Sequence, residues 1–436
     1  MKGFFISNSD SMNIAELHQL FLKSKGVSTD SRTELIDKIF FALKGDNFDG
    51  NRFALKSLEK GAVLSVVDDP MLKNKEGVIW VEDVLQTLQQ LANFHRNHLK
   101  LPIIAITGSN GKTTTKELIA KVLSERYKVG FTRGNLNNHI GVPLTLLSLK
   151  KSTEIGVVEM GANHPKEIKK LCRIVQPDFG YITNFGKAHL EGFGSFEGVV
   201  KGKSELYDYL IKNNKQIFVN EDQKLQIKQS KGGNLIKFGQ SPLASCQVSL
   251  ADATGFIKVK YSGVIIKSKL LGAYNFNNIA AAICVGQFFE IDKWKIKKAI
   301  ETYKPENNRS QIFIKGSNKF ILDAYNANPT SMELAIANLI NFRSNNKVVV
   351  LGDMFEIGET ELEEHQQIVD LLEASSIEKI YVCGGIFNRT KVNKVRKFEN
   401  FAALKHEIAQ ENIRNSTVLI KGSRGMAMEK ILEAFN

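Results

Sequence analysis

The sequence predicts an α/β protein built as three domains, and three observations lead there. The chain has 436 residues, more than one hydrophobic core holds and enough for three domains of ordinary size. Short apolar runs alternate with helix-length segments, the pattern of mainly parallel sheets flanked by helices. A change of pattern near residue 98 and the linker-like Tyr303-Lys-Pro305 divide the chain into residues 1–98, 99–305 and 306–436.

In the first stretch Ile39-Phe-Phe-Ala-Leu43 runs into the turn signal Lys44-Gly45, and Ala62 to Val67 runs into Asp68-Asp69-Pro70. Val84, Leu88, Leu91 and Phe94 recur at helical spacing. That helix is expected to end near Leu99, ahead of Pro102. The result is a small α/β domain.

The central stretch opens with Pro102-Ile-Ile-Ala-Ile-Thr107, an apolar run typical of a buried parallel strand. Further strands are expected at Ile155–Met160, Phe179–Thr183 and Gln216–Val219. Residues 230–270 carry short alternating runs and turns, expected to form an antiparallel appendage. A buried helix follows from Asn275. In the last stretch strands at Phe320–Ala324, Lys347–Leu351, Lys379–Cys383 and Val418–Lys421 are each followed by a helical pattern, a Rossmann-like domain of about 130 residues.

Composition excludes several classes. With 43% apolar and 24% charged residues the chain reads as soluble and globular. No run of about 18 apolar residues offers a membrane span. The N-terminal MKGFFISNSDSMN falls short of a secretory signal, so a cytoplasmic protein is expected. Cys172, Cys246, Cys284 and Cys383 lie far apart with no CxxC pair, and are expected to be reduced structural thiols. The net charge of +13 is spread over scattered lysines without a basic block, so no nucleic-acid partner is expected. A substrate bearing phosphates and carboxylates would suit the same field. No dimer helix stands out, and a monomer is expected.

The strongest local signal is Thr107-Gly108-Ser109-Asn110-Gly111-Lys112-Thr113-Thr114 between a strand and a helix. Glycines let backbone N–H groups curl around phosphate oxygens, and the helix N-terminus adds partial positive charge. Lys112 would reach the terminal phosphates and the Thr113 hydroxyl a Mg²⁺ ion, which makes ATP and Mg²⁺ the expected cofactors. Glu159 stands at the C-terminal end of an apolar strand, where ligands bind in open α/β sheets. It could hold Mg²⁺ or be a solvated acid. His189, in Thr183-Asn184-Phe-Gly186-Lys-Ala-His189-Leu-Glu191, could serve a metal or substrate or simply satisfy local hydrogen bonds. Lys201-Gly-Lys203-Ser-Glu-Leu-Tyr207 reads by composition as an amphipathic helix with solvated lysines. The amide-rich Asn135-Leu-Asn137-Asn138-His-Ile-Gly141-Val-Pro143 suits a polar ligand and turns equally.

Taken in order and spacing, these segments resemble the Mur ligase family over essentially the whole chain. Three more segments share the likeness: Asp323-Ala-Tyr-Asn326-Ala-Asn328-Pro329, Leu351-Gly-Asp353-Met354-Phe-Glu356-Ile-Gly358 and Lys421-Gly-Ser-Arg424. So do Ser28-Thr-Asp30-Ser31-Arg32, Phe41-Ala-Leu-Lys44-Gly45 and Phe48-Asp49-Gly50 in the first stretch. Departures include Tyr274, where members often have His, and Leu322, where they often have a second acid.

The resemblance implies an ATP-dependent ligase that activates the carboxylate of a UDP-N-acetylmuramoyl-tripeptide as an acyl phosphate and joins it to D-alanyl-D-alanine. It implies that Lys203 is carried as a carbamate and, with His189, helps hold a second Mg²⁺, while Glu159 and Thr113 serve the metal shared with ATP. Asn278 would contact adenine, Arg309 the γ-phosphate and Asp323 the ribose. Lys112, Lys203, His189 and Arg309 would be catalytic. Ser31, Arg32, Lys44 and Gly45 would hold the UDP-linked substrate, and Asn135, Asn137, Asn138, Asn326 and Asn328 would border the substrates. Closure of the last domain about a hinge near Tyr303–Asn307 would exclude water from the acyl phosphate. Rival readings are a folylpolyglutamate synthase-like ligase, a catalytically silent ATP-binding scaffold and a nucleic-acid-dependent ATPase.

Overall fold

A computed structural model describes residues 12–305 and 308–435; the N-terminal stretch up to Ser11 and two residues of the expected hinge lie outside them. The chain falls into two compact units. Both are α/β with parallel-rich sheets, as the apolar runs predict.

One unit takes the chain up to Ala105 with Lys128–Met160 and Lys169–Asp178. Its parallel strands Val27–Ser28, Ile39–Phe41, Leu64–Val67 and Val78–Trp80 lie side by side in that order. Ile39–Phe41 is buried throughout, so it reads as an unbroken apolar run. Phe40, Ala42, Val67 and Val78 close a small core over Leu35 and Ala54. A second parallel pair joins Val129–Phe131 to Ile155–Glu159.

Helix Val84–Leu99 starts where Asp83 accepts the Gln86 N–H and stops at Lys100, whose φ of 54° is left-handed. Val84, Leu88 and Leu91 are buried as their spacing predicts, but Phe94 is 38% exposed. The buried stripe continues instead through His95 and Arg96, which tie the helix down. Arg96 donates to the carbonyls of Val175 and Gln176 and to Asp178 at 2.7 Å. Asp178 also accepts the Ile103 N–H, so one carboxylate fixes both a helix and a strand start.

His18, on helix Ile14–Lys23, lies 3.0 Å from His95 Nδ1, and His95 Nε2 lies 2.9 Å from the Leu149 carbonyl. A carbonyl only accepts, so the proton of His95 sits on Nε2 and its Nδ1 accepts from His18. With its one proton on Nε2, the His95 ring is neutral. Burial, reinforced by its histidine neighbours, pushes His18 down to about 4, and burial lowers His95 as well. A depressed histidine favours the folded state fully above the unfolded value near 6.5, and that stability is lost as pH falls from there toward 4. Each histidine then costs at most about 1.4 kcal/mol per pH unit. The urea midpoint of this unit should drop between pH 7.5 and 5. His18→Gln, which keeps a donor for His95, should flatten that drop; an unchanged slope in the variant would reject the assignment.

The other unit takes Ile106–Tyr127, Gly161–Ile168 and the chain from Phe179 on. Strands Phe179–Ile182, Gln216–Asn220, Asn234–Gly239 and Cys246–Asp252 pair in parallel, and Phe256–Tyr261 and Val264–Leu271 then pair antiparallel. Residues 230–270 are thus no separate appendage. Their first strands continue the parallel sheet, and only the end of the stretch turns antiparallel. Helix Asn275–Phe288, buried on most sides, packs against helix Lys112–Leu123.

The C-terminal sheet of this unit runs Gln311–Lys315, Asn318–Asp323, Thr417–Lys421, Lys347–Gly352, Lys379–Cys383, Arg396–Phe398. The first pair is antiparallel and the others parallel. All four expected strands are present. The two edge strands were not legible, since Gln311–Lys315 is nowhere fully buried and Arg396–Phe398 spans three residues. After Thr417–Lys421 the expected helix is replaced by two 3₁₀ stretches, interrupted at Ala427 by a φ of 47°. All four cysteines are buried and none is in a disulfide. Burial pushes Cys383 up to about 11, and the hydrogen bond with Cys246, followed by burial, raises Cys284 well above the ordinary thiol range. Among the described residues no helix is long and apolar enough to cross a membrane.

Candidate active site

The glycine loop follows strand Ile103–Thr107 and opens helix Lys112–Leu123. Its shape is set by the end of the next strand. Ser109 N–H donates to the Asn184 carbonyl, and Asn110 N–H donates to the Asn184 side chain. The Asn110 carbonyl accepts from Thr183 Oγ1 at 2.6 Å and from Asn184 Nδ2 at 2.9 Å. Ser109 Oγ donates to the Gly186 carbonyl and accepts the Gly186 N–H, both at 3.0 Å. Thr183-Asn184-Phe-Gly186, noted in sequence only as an approach to His189, is therefore the cradle of the loop.

Both glycines of the loop are required by contact as well as conformation. Gly108 has φ +137°, and a Cβ there would stand 2.0 Å from Thr183 Oγ1. Gly111 has φ +80°, and its Cβ would stand 2.7 Å from Asn278 Oδ1. Asn278 also accepts from Thr115 Oγ1 and donates to Asn275 Oδ1. The residue assigned by resemblance to adenine thus braces the loop in this structure. Lys112 Nζ donates to the carbonyls of Gly108 and Ser109, at 2.8 and 3.1 Å. Thr113 and Thr114 are buried in the first turn of the helix.

Lys203 sits in helix Phe196–Lys212 and is fully buried, which corrects the solvated reading of its composition. Its Nζ donates to the Ala162 carbonyl at 2.7 Å. Burial first, then the charge of Lys112, drives its proton affinity well below the lysine range, against opposing pulls from Glu167 and Glu205. A buried neutral amine is a nucleophile.

His189 has φ 54° and its Nδ1 lies 2.5 Å from Glu356 Oε2. That contact holds the Glu356 carboxyl below its ordinary range. Nearby Lys187 pairs with the buried Glu364 at 2.6 Å. Arg309 stacks on Tyr325, its guanidinium 3.6 Å from the ring centre. Asp323 accepts the Ser310 N–H and pairs with buried Lys421 at 2.6 Å, and Lys421 also donates to the Asn326 carbonyl. Tyr274 bonds Ser310 Oγ at 2.8 Å, so the residue that departs from the family pattern reaches the neighbour of Arg309. Asn326 accepts the Ala327 N–H, and Asn328 caps helix Pro329–Asn341.

In the first unit Glu159, 1% exposed, accepts from Asn137 Nδ2 at 2.8 Å, which brings two of the expected site residues together. Asn138 spends its carbonyl oxygen on the Ile140 and Gly141 N–H groups, the turn role its composition allowed. Asn135 is exposed. Arg32 forks onto Asp30 with its side chain 89% exposed, and holds that carboxyl down at about 2. Lys44 pairs with Asp68 at 2.8 Å on the short hairpin that includes Gly45. The Ser31 carbonyl accepts from Lys60.

Among the described residues no three His, Cys, Asp or Glu side chains gather as a metal site. The residues expected to hold Mg²⁺ are of another kind. In the second unit Thr113 carries a hard oxygen donor and Lys203, whose charge burial disfavours, would gain such donors as a carbamate; in the first unit Glu159 carries hard oxygens, the donor type that ion prefers. Sequence reading gave no role to Lys421, Tyr325, Glu356 or Lys187. Lys421 carried a signal, as a lysine closing an apolar strand; the others are visible only once strands distant in sequence are adjacent.

Comparison with known proteins agrees with this geometry. Residues 106–286 match the Mur ligase middle domain and residues 308–424 the Mur ligase, glutamate ligase domain. The UDP-N-acetylmuramoyl-tripeptide–D-alanyl-D-alanine ligase of Bacillus subtilis is 33% identical over 422 residues, covering 94% of this chain and 92% of that protein. The Escherichia coli enzyme of the same name is 31% identical over 434 residues, covering 96% and 95%. A crystal structure of MurF from Acinetobacter baumannii superimposes with TM-score 0.85 at 28% identity, covering 95% of this chain and 97% of that one. MurF from Thermotoga maritima in complex with ADP gives 0.83 at 27% identity, with the same coverage. A strand-anchored glycine loop, a buried lysine and likeness along nearly the whole length converge: the chain belongs to the Mur ligase family.

Proposed function

We propose that this protein is the ATP-dependent ligase that adds D-alanyl-D-alanine to UDP-N-acetylmuramoyl-tripeptide, completing the pentapeptide precursor of cytoplasmic peptidoglycan synthesis. One observation carries the reading. Likeness to ligases of that name covers 94% and 96% of the chain, and so reaches well into the N-terminal part that lies before the matched middle domain. Residues 1–98 then bind the UDP-linked substrate, 99–305 bind ATP, and 306–436 complete the ligase site. The protein acts as a soluble monomer without nucleic acid.

A carboxylate resists attack by an amine because its carbon is poorly electrophilic and its leaving group is oxide. Transfer of the γ-phosphoryl group of ATP to the tripeptide carboxylate makes an acyl phosphate, whose leaving group is phosphate. Two anions must meet in that step, so Lys112 and Arg309 offset charge where it develops. Lys112 already lies against the loop that holds the phosphates. Arg309 is held against the face of Tyr325. Asp323, steadied by Lys421, receives the ribose. The uncharged amine of the dipeptide then attacks the acyl carbon, and phosphate departs from the tetrahedral intermediate.

Bound Mg²⁺ would neutralise phosphate charge, held by Thr113 and Glu159 on the nucleotide side and by His189 and carbamylated Lys203 for the second ion. His189 reaches Glu356 through Nδ1, which leaves Nε2 as its metal-facing nitrogen. His189→Ala should raise the Mg²⁺ concentration for half-maximal turnover about tenfold. A superimposable Mg²⁺ titration would argue against ligation.

The test of the reading is phosphate release from ATP with UDP-N-acetylmuramoyl-tripeptide, with and without D-alanyl-D-alanine, followed by mass analysis. Release that needs both substrates, with a product heavier by the dehydrated dipeptide, supports it. Release with a glutamate acceptor and a folate instead would hand the assignment to a folylpolyglutamate synthase-like ligase. ATP binding with no release under any pairing would favour a silent scaffold.

A further inference from the structure

Two asparagines 218 positions apart face each other as complementary amides. Asn328 Nδ2 donates to Asn110 Oδ1 at 2.8 Å, and Asn110 Nδ2 faces Asn328 Oδ1 at 3.5 Å. Asn110 is the residue between the serine and glycine of the nucleotide loop, and its backbone is fixed on both sides by Thr183 and Asn184. Asn328 is 9% exposed and held equally firmly. Its Oδ1 accepts the Ser331 N–H and its own N–H donates to Ser331 Oγ, a reciprocal cap on helix Pro329–Asn341. Neither side chain can turn away without losing a bond already made.

The surroundings extend the same seam. Thr330 Oγ1 accepts the Lys187 N–H at 3.0 Å, and Gly186 leaves room for both Thr330 and Asn110. Two residues before Asn328, the Asn326 carbonyl is held by Lys421, which also grips Asp323. The chain therefore runs without a loose joint from the loop, through Asn110 and Asn328, to the segment that carries Asp323 and Tyr325, on which Arg309 stacks.

We infer that Asn328 is a positioning residue: through Asn110 it couples the seating of nucleotide in the glycine loop to the placement of Arg309 and Asp323, rather than bordering the dipeptide. This rests on the ligase reading for its effect on turnover, but not for its effect on nucleotide affinity. The Asn110 side chain is engaged by Asn328, so it reports loop shape to the segment opposite. A loop deformed by loss of the pair would lose affinity even though Asn328 bears no charge.

The experiment is a double-mutant cycle with Asn110→Ser, Asn328→Ser and the pair together. Serine keeps the capping oxygen for helix Pro329–Asn341 but is too short to reach across, so folding is preserved. Affinity for a non-hydrolysable ATP analogue is read by calorimetry, and KM for ATP and kcat by phosphate release. Each single variant should lose about fivefold in analogue affinity, the scale of one hydrogen bond, and the double variant no more than either. Asn328→Ser should raise KM for ATP while leaving KM for the dipeptide alone. Losses that multiply in the double variant, or an Asn328→Ser protein with unchanged analogue affinity, would overturn the coupling. An effect of Asn328→Ser confined to the dipeptide KM would return the residue to its substrate-bordering role. Wild-type protein that binds the analogue but never turns over would defeat the ligase reading and leave the calorimetric cycle to judge the pair.

Discussion

Lys203→Ala should lose turnover by a factor on the order of a hundred or more, the scale of removing one electrostatic element from a phosphoryl-transfer site. The argument begins from solvation. An ammonium inside a helix–loop interface must give up water, and among the described residues Lys203 Nζ donates to the Ala162 carbonyl alone. Burial and the neighbouring Lys112 both disfavour its charge and so favour the free-amine form. A free amine can add to carbon dioxide: the nitrogen lone pair forms the N–C bond, one proton leaves, and a carbamate anion remains. That anion supplies the oxygen donors a lysine lacks. Because alanine also opens a cavity, Lys203→Met is the companion variant, filling the space without a nucleophile. Both should be inactive, the methionine variant with a melting temperature near that of the wild type, and a carbon-13 carbamate signal should vanish from both. Wild-type turnover in Lys203→Met would remove the carbamate from the mechanism.

Gly108→Ala should abolish useful ATP binding. At φ +137° an L-residue is strained by roughly 1–3 kcal/mol before any contact is considered. The added methyl would also occupy the place of Thr183 Oγ1, the hydroxyl that pins the Asn110 carbonyl. The loop must then either expel Thr183 or abandon the curvature that aims its N–H groups at phosphate. If about 3 kcal/mol is relieved by deforming the loop, analogue affinity falls about a hundredfold. Calorimetry decides it, and affinity within twofold of wild type would show that the loop has slack the geometry denies. Folding should survive, since the strain is confined to a short loop between an intact strand and helix.

How far the sequence could be read depended on whether each feature is written locally. Ile103–Thr107, Ile155–Glu159 and Lys347–Gly352 are buried parallel strands, and buried strands announce themselves as apolar runs. Glycine followed by Lys-Thr at a strand end identified the nucleotide loop without any partner in view. Lys203 was the opposite case. Its helix alternates polar and apolar residues as a solvated helix does, and only likeness to a known family marked it as buried. The antiparallel end of the sheet was legible in the alternating runs of residues 230–270, whereas the parallel pairing of the first strands there and the 3₁₀ ending after Lys421 depend on tertiary placement and left no periodic trace. Asn328 shows a further limit: the resemblance set it beside the substrates, whereas its bonds are to a helix start and a distant loop.

The four buried thiols give the molecule its own unfolding gauge. With Cys284 and Cys383 held in the protonated form and all four side chains shielded, an alkylating reagent has little thiolate to attack while the fold is closed. Labelling then proceeds only through opening events. Cys172 belongs to the first compact unit, and Cys246, Cys284 and Cys383 belong to the second. The order in which these sites acquire label, read by peptide mass under native buffer, ranks the local opening equilibria of the two units without any engineered probe.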